Sequence, residues 1–460
     1  MTDLAVNRYR VLSLSVAARM RRNVPAALVL LLVVGNGLAI VWLWYHGGNV
    51  TDVHSTADAL TSVARITGLL SAYLALVQVI LLARLPALER AVGFDRLSRW
   101  HRWNGHVCID LVIAHVVFSV WGYALADHLT LGKEISTMLG GGIYPGMITA
   151  TIGTAMLLAV VATSLVIVRR RLSYEWWYAV HLMAYAGIAL SWFHEIPTGN
   201  ELVLDQTAAN SWRSLYVATL VILVVFRILV PVANAFRYRL RVDEVSREGD
   251  NVVSVRITGR NLGKLGAHAG QFFLWRFLDR HRWWTAHPFS LSAAPDGRSL
   301  RITVKALGDH TARLAALRAG TRVFAEGPFG VFTPEVRTRD KAVLIAGGIG
   351  ITPIRALLET MPGDVVVLYR VVTEDDVIFR DELGELAAER GATVHYVVGD
   401  HRGDGAALLS PAHLKELVRD IEDRDVFVCG PPAMTAAIER NVRGAQVPRR
   451  QIHTERFALT

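Results

Sequence analysis

The chain is poor in cysteine. Two residues, Cys108 and Cys429, are all that its 460 positions hold. They are too few and too far apart for an iron–sulfur cluster, a zinc site or a disulfide framework, so an in-chain ferredoxin module is excluded. A basic stripe is also lacking. The net charge is +9, but the arginines stand at the ends of apolar runs, where membrane topology accounts for them, and nucleic acid is not implied as a partner. The N-terminus has no small-residue cleavage pattern. Arg8, Arg10, Arg19, Arg21 and Arg22 precede an apolar run of about 20 residues, which suits an uncleaved first span.

Polarity divides the chain near residue 236. Before it lie long apolar runs, and after it comes mixed-charge text with Gly/Pro turns, so the hydrophobic share of 52% describes the first half. Six segments are apolar enough to cross a bilayer, at about 25–45, 58–83, 104–125, 147–168, 176–193 and 213–235. They predict a six-helix transmembrane bundle. Arg84, Arg90, Arg96, Arg99, Arg102, the triplet Arg169–Arg171, and Arg237, Arg239 and Arg241 fall on one side together with the N-terminus. The other connections hold Lys133 and Arg213 beside Asp52, Asp127, Glu134, Glu195, Glu201 and Asp205. The positive-inside rule therefore predicts a multi-pass protein of the cell membrane with both termini and the soluble half cytoplasmic.

Four histidines mark two of these spans. His101 and His115 bracket the third, and His181 and His194 the fifth. Ionisable groups at membrane depth are expensive and tend to have partners. Fourteen residues separate the first pair, roughly 21 Å along a helix and within about 40° of one face. Thirteen separate the second, roughly 20 Å but about 140° apart on an ideal helix, so a bulge, a tilt or a distorted end near Gly187 or His194 has to bring the rings round. Both spans run in the same direction, so His101 faces His181 and His115 faces His194. Two flat cofactors with paired axial imidazoles fit that spacing. His46, His54, His106 and His128 have no such match and read as loop or interface residues.

His101-Arg-Trp-Asn-Gly105, His115, Tyr174-Glu175-x-Trp177-x-x-x-His181 and His194 together resemble the ferric reductase-like transmembrane domain shared by ferric reductases and NADPH oxidases. That resemblance implies two b-type haems, ligated by His101 with His181 and by His115 with His194. Such ligation leaves no open iron position, so oxygen reduction would be outer-sphere.

The soluble half reads as short strands over Tyr238–Val245, Asn251–Ile257, Gln271–Phe277 and Leu300–Ala306, a small antiparallel β-barrel. Within it lies His287-Pro288-Phe289-Ser290, offering an aromatic wall and a hydroxyl for an isoalloxazine, while Lys305 and the turn Gly308-Asp309-His310-Thr311 offer charge and N–H groups for a pyrophosphate. From about 340 the pattern becomes βαβ. A strand at Lys341–Ala346 leads through Gly347-Gly348-Ile349-Gly350-Ile-Thr352-Pro353 into a helix, the context of a dinucleotide phosphate turn. Arg370, near the end of the strand Asp364–Arg370, is either a ligand for a 2′-phosphate or a solvated strand end. The last strand closes on Cys429-Gly430-Pro431-Pro432.

These motifs, with Glu326-Gly-Pro-Phe-Gly330, resemble the ferredoxin–NADP reductase superfamily in its NADPH oxidase/ferric reductase branch. Lys305 and His310 stand where many members carry Arg and Trp. The resemblance implies that Ser290 and Cys429 border the reacting flavin and nicotinamide. It implies that Phe457, followed here by Ala-Leu-Thr, covers the flavin. The expected domains are a haem domain over 1–236, an FAD barrel over 237–335 and an α/β parallel-sheet NAD(P) domain over 336–460. The expected function is electron transfer from cytoplasmic NAD(P)H, with a lean to NADPH from Arg370, through FAD and two haems to a small outer acceptor, ferric chelate or oxygen. A membrane-tethered cytoplasmic flavin reductase and a non-enzymatic haem-binding membrane protein are the competing readings. A homo-oligomer is compatible with all three.

Overall fold

The structure is a computed structural model that describes residues 27–140, 143–169, 171–172, 174–279, 285–306, 313–400 and 407–456. These form two compact units that divide between Ile228 and Leu229.

The first unit is helical. Its elements are α1 (Ala27–Asn49), α2 (Thr56–Leu81), α3 (Pro86–Val92), α4 (Phe94–Ala126), α5 (Leu131–Leu139), α6 (Met147–Ser164), α7 (Val166–Arg169), α8 (Tyr174–Thr198) and α9 (Asn200–Leu204), and then α10 (Gln206–Tyr238), which runs on past the division. Local chemistry sets the starts. The Ser55 side chain accepts from the Asp58 N–H, that of Asp205 from the N–H groups of Thr207 and Ala208, and Pro86 opens α3 where no N–H is needed. Helix α4 begins well before the apolar run. It carries Arg96, Arg99 and Arg102 in its first turns, because a helix continues through charged residues that a bilayer core excludes.

Among the described residues five helices are long and apolar enough to span a membrane: α1, α2, the Arg96–Ala126 part of α4, α6 and α10. The expected fifth span lies in α8, which is 25 residues long but is not one of the five. Its tryptophans, tyrosines and histidines lower the hydropathy that the others draw from Leu, Val and Ile.

Helix α2 packs along α4, and α6 along α8. The second pair meets at two glycines. A Cβ on Gly153 would lie 2.6 Å from the Gly187 carbonyl oxygen, and one on Gly187 3.0 Å from that of Gly153. Small residues let membrane helices approach backbone to backbone in this way. Gly187 therefore serves close packing. It makes no bulge, and α8 is one α-helix through it.

In the second unit two three-stranded antiparallel sheets come first: β1 (Arg241–Gly249), β2 (Val252–Thr258) and β5 (Ser299–Lys305), and β4 (His287–Ser290), β3 (Phe272–Phe277) and β6 (Val323–Phe329). Bridges Arg241–Arg322 and Leu291–Ile302 join them around a core that includes Val255, Ile257, Phe273, Trp275 and Ile302. A five-stranded parallel sheet follows, in the order β11 (Ile452–Arg456), β10 (Asp425–Gly430), β7 (Ala342–Gly347), β8 (Val365–Val371), β9 (Thr393–Val398). Strands β7 and β10 are buried along their whole length, as a sheet covered on both faces requires. Its helices include α11 (Ile351–Thr360), α12 (Arg380–Arg390), α13 (Pro411–Leu417) and α14 (Pro432–Gly444).

Candidate cofactor sites

In the helical unit the four histidines form two facing couples. The ring centroids of His101 and His181 are 6.0 Å apart, and those of His115 and His194 are 6.3 Å apart. Helices α4 and α8 face each other through these rings rather than backbone to backbone. The spacing can be tested against a metal. Imidazole nitrogen binds at about 2.0–2.1 Å, and with each ring centre roughly 1.1 Å behind its nitrogen, two imidazoles on one metal have centroids roughly 6.3 Å apart. Both couples fit.

The outer faces of the rings support the same geometry. His101 Nδ1 donates to the Gln78 carbonyl at 3.2 Å, His115 Nδ1 to that of Ala64 at 2.8 Å, and His194 Nδ1 to that of Ser191. Carbonyls only accept, so these rings carry the proton on Nδ1 and keep the Nε2 lone pair for a metal. His181 Nδ1 is buried without a partner; that ring lies against Trp177, centroid to centroid 4.9 Å. On α8 the His194 ring turns back toward Ser191, three residues before it. The close fit of α2 to His115 depends on Gly68, whose Cβ would lie 2.6 Å from His115 Nδ1.

In the second unit the two nucleotide motifs, about eighty residues apart in sequence, become neighbours. Strands β8 and β9 lie on one side of β7 and β10 and β11 on the other, so the switch in strand order falls between β7 and β10. Ligands of open α/β sheets bind at that place, beyond the carboxyl ends of the strands. Gly347, Gly348 and Gly350 turn from β7 into α11, and Cys429, Gly430 and Pro431 turn from β10 into α14. Contact there demands glycine. A Cβ on Gly350 would lie 2.3 Å from the Cys429 carbonyl oxygen, and one on Gly430 3.2 Å from the Gly347 Cα. No side chain caps α11, which leaves its first N–H groups to a phosphate. Thr352 and Pro353 lie in its first turn, the Thr352 hydroxyl donating to the Ile349 carbonyl at 3.0 Å.

Cys429 is fully buried, and burial together with Glu455 pushes its thiol well above the ordinary value. Glu455 is its register partner on β11 and lies near the turn at Gly330, where a Cβ would be 3.9 Å from Glu455 Oε1. Sequence reasoning does not single out Glu455. Only the pairing of β10 with β11 brings it beside Cys429.

His287, Pro288, Phe289 and Ser290 form β4. The His287 and Phe289 rings stack at 6.1 Å, the Phe289 carbonyl accepts from Trp275 Nε1 at 3.0 Å, and Ser290 is buried beside Phe272. Two expected ligands have protein partners in the structure. Lys305 Nζ pairs with Asp376 at 3.2 Å. The Arg370 guanidinium donates to the carbonyls of Val371, Val397 and Asp400 and so straps the ends of β8 and β9. Gly308, Thr311 and Phe457 lie outside the described residues. A further polar seam ties β5 to α11 and α12: Arg301 makes two 2.8 Å bonds to Glu382, Arg355 Nε joins the same carboxylate at 2.8 Å, and Glu359 accepts from the Ala294 N–H at 2.8 Å.

The family described as ferric reductase like transmembrane component matches residues 67–192, the FAD-binding domain family 237–333, and the oxidoreductase NAD-binding domain family 344–440. The chain belongs to the ferric reductase/NADPH oxidase-type family, with a ferredoxin–NADP reductase-like half. It is 31% identical over 189 residues to ferredoxin–NADP reductase B of Sorangium cellulosum, covering 37% of this chain and 77% of that protein. It is 34% identical over 236 residues to the ferredoxin reductase component of 3-ketosteroid-9-alpha-monooxygenase from Mycolicibacterium smegmatis, covering 47% of this chain and 65% of the relative. The solved structure of the ferredoxin reductase in carbazole 1,9a-dioxygenase matches with a TM-score of 0.41 at 21% identity, over 48% of this chain and 69% of that one. A family member of this kind is a multi-pass membrane oxidoreductase with FAD- and NAD(P)-binding domains.

Proposed function

We propose that the chain carries electrons from NAD(P)H across the bilayer, through FAD and two b-type haems, to a small outer acceptor, ferric chelate or oxygen. The reading takes α8 as the sixth span and both termini as cytoplasmic. It takes 1–236 as the haem domain, 237–335 as a closed FAD barrel and 336–460 as the NAD(P) domain. The observation that carries it is the pair of imidazole couples, each spaced for one metal, at two levels of the same two helices.

The bound cofactors supply hydride acceptance and single-electron transfer, chemistry that side chains lack. The chain supplies the rest. His101, His181, His115 and His194 present Nε2 lone pairs. Phe289 and Ser290 offer a ring wall and a hydroxyl to the flavin, and Lys305 offers a charge toward its pyrophosphate. Gly347, Gly348, Gly350, Thr352 and Pro353 seat the dinucleotide phosphates. Cys429, Gly430 and Pro431 border the nicotinamide, and Cys429 does so as a neutral thiol. Arg370 donates to three carbonyls, and the coenzyme is assigned as NAD(P)H. Short outer connections favour a diffusible acceptor over a docked protein.

The test is purified protein assayed for haem and FAD, then given NADH or NADPH with ferric chelate or oxygen. Two haems and one FAD per chain are expected, with acceptor reduction on the side opposite the nucleotide. Absence of haem would overturn the reading. Electron output unaffected by His115→Ala would favour a merely tethered flavin reductase.

A further inference from the structure

Helix α2 carries none of the four histidines, yet it accepts a hydrogen bond from both of those on α4. The Ala64 carbonyl takes His115 Nδ1 and the Gln78 carbonyl takes His101 Nδ1. Ala64 and Gln78 are fourteen residues apart, the same interval as His101 and His115, and the order is reversed because α2 and α4 run antiparallel. One helix is thus a ruler for the other.

The two levels are not equally supported. At His115 and His194 both rings donate to a carbonyl. At His101 and His181 only His101 does, since His181 Nδ1 is without a partner. The support of His101 is also more elaborate. Gln78 Nε2 donates to the His101 carbonyl at 2.8 Å, closing a two-bond ring between one residue of each helix. Asn104, buried on α4, donates to Gln78 Oε1 at 2.7 Å and to the Leu74 carbonyl at 2.9 Å. Gly105 leaves room for the amide, because a Cβ there would lie 3.0 Å from Gln78 Nε2. Every group in this clamp is uncharged, which suits a site within a span.

We propose that Gln78 is a positioning residue for the cofactor held by His101 and His181. Its side-chain amide locks α2 to α4 and so fixes the bond from His101 Nδ1 to its own carbonyl. The inference rests on the haem reading above. A hydrogen bond from Nδ1 makes the opposite nitrogen a stronger donor, which favours the more oxidised metal. Loosening the clamp should therefore raise the midpoint potential at that level and leave the His115–His194 level where it is.

The experiment is a potentiometric titration of the full-length protein, followed by haem absorbance, for wild type, Gln78→Leu and Gly105→Ala. His115→Ala identifies which component belongs to His101 and His181. The expected result is two haems retained, with that component alone moved upward in both variants. Unchanged potentials, a downward move or an equal shift of both components would overturn the proposal while leaving the two-haem reading intact. Wild type without haem would overturn the haem reading itself, a separate outcome. If Gln78→Leu does not accumulate with both haems, Gly105→Ala is judged by the same criterion.

Discussion

The helical and the soluble unit build their candidate sites in opposite ways. In the helical unit each chemical residue sits on one of two long helices, and spacing within a helix determines its height. In the soluble unit no single element holds the site. Gly350 and Cys429 come from turns far apart in sequence and touch because β7 and β10 are adjacent at the switch in strand order. A helix gives rise per residue directly, whereas a parallel sheet gives neighbours only after its strand order is known. The first kind of site should fail locally, one level at a time. The second should fail as a unit.

The largest expected effect breaks the helical side of that contrast. His115→Ala should remove one of two haems, abolish reduction of the outer acceptor and leave reduction of the flavin by NAD(P)H intact. Haem-to-flavin ratio and stopped-flow flavin reduction measure this, and loss of both haems together would deny the independence of the two levels.

On the soluble side, Gly350→Ala places a Cβ 2.3 Å from the Cys429 carbonyl. Overpacking of this kind costs about 1–3 kcal/mol. Flavin reduction by nicotinamide should slow sharply with haem content unchanged. Normal rates would show that the two turns do not form one site.

A smaller effect concerns the seam between β5 and the nucleotide sheet's helices. Burial acts to raise Glu382, but Arg301 and then Arg355 outweigh it and hold the carboxyl below its ordinary 4.5. Its contribution is therefore full above that value and is lost as pH falls through the lower folded value. Glu382→Gln should destabilise the soluble half at neutral pH by about 1–2 kcal/mol after allowing for partial exposure, read as a lower thermal midpoint. It should also flatten the decline of stability below pH 4.5. An unchanged acid profile would remove Glu382 from the seam.

Least of all is expected from Arg370→Ala on coenzyme choice. With its guanidinium on three carbonyls, the ratio of kcat/KM for NADPH over NADH should stay as in wild type while the protein loses some stability. A collapse of the NADPH rate alone would return Arg370 to the 2′-phosphate.

Much of this was legible from residues in order. Apolar runs, arginine placement and the His101/His115 interval read directly, since span length and helix rise are properties of short stretches. The strand–glycine–helix pattern at 342–353 read for the same reason. Glu455 did not, because its place depends on the register of β10 with β11. The Asp376 carboxylate that Lys305 meets and the carbonyls that Arg370 meets were not legible, because a basic side chain at a strand end gives no sign of its partners in the fold.

The sequence by itself determined the division into an apolar and a soluble half, the histidine intervals and the order of the flavin and nicotinamide motifs. Each follows from composition or from periodicity within one element. Only the tertiary structure decided that the paired rings lie 6.0 and 6.3 Å apart, that α2 holds the α4 rings by carbonyls matched to their spacing, and that Gly350 meets Cys429. Those depend on which helices and strands become neighbours, and a one-dimensional pattern carries no direct measure of contact between elements.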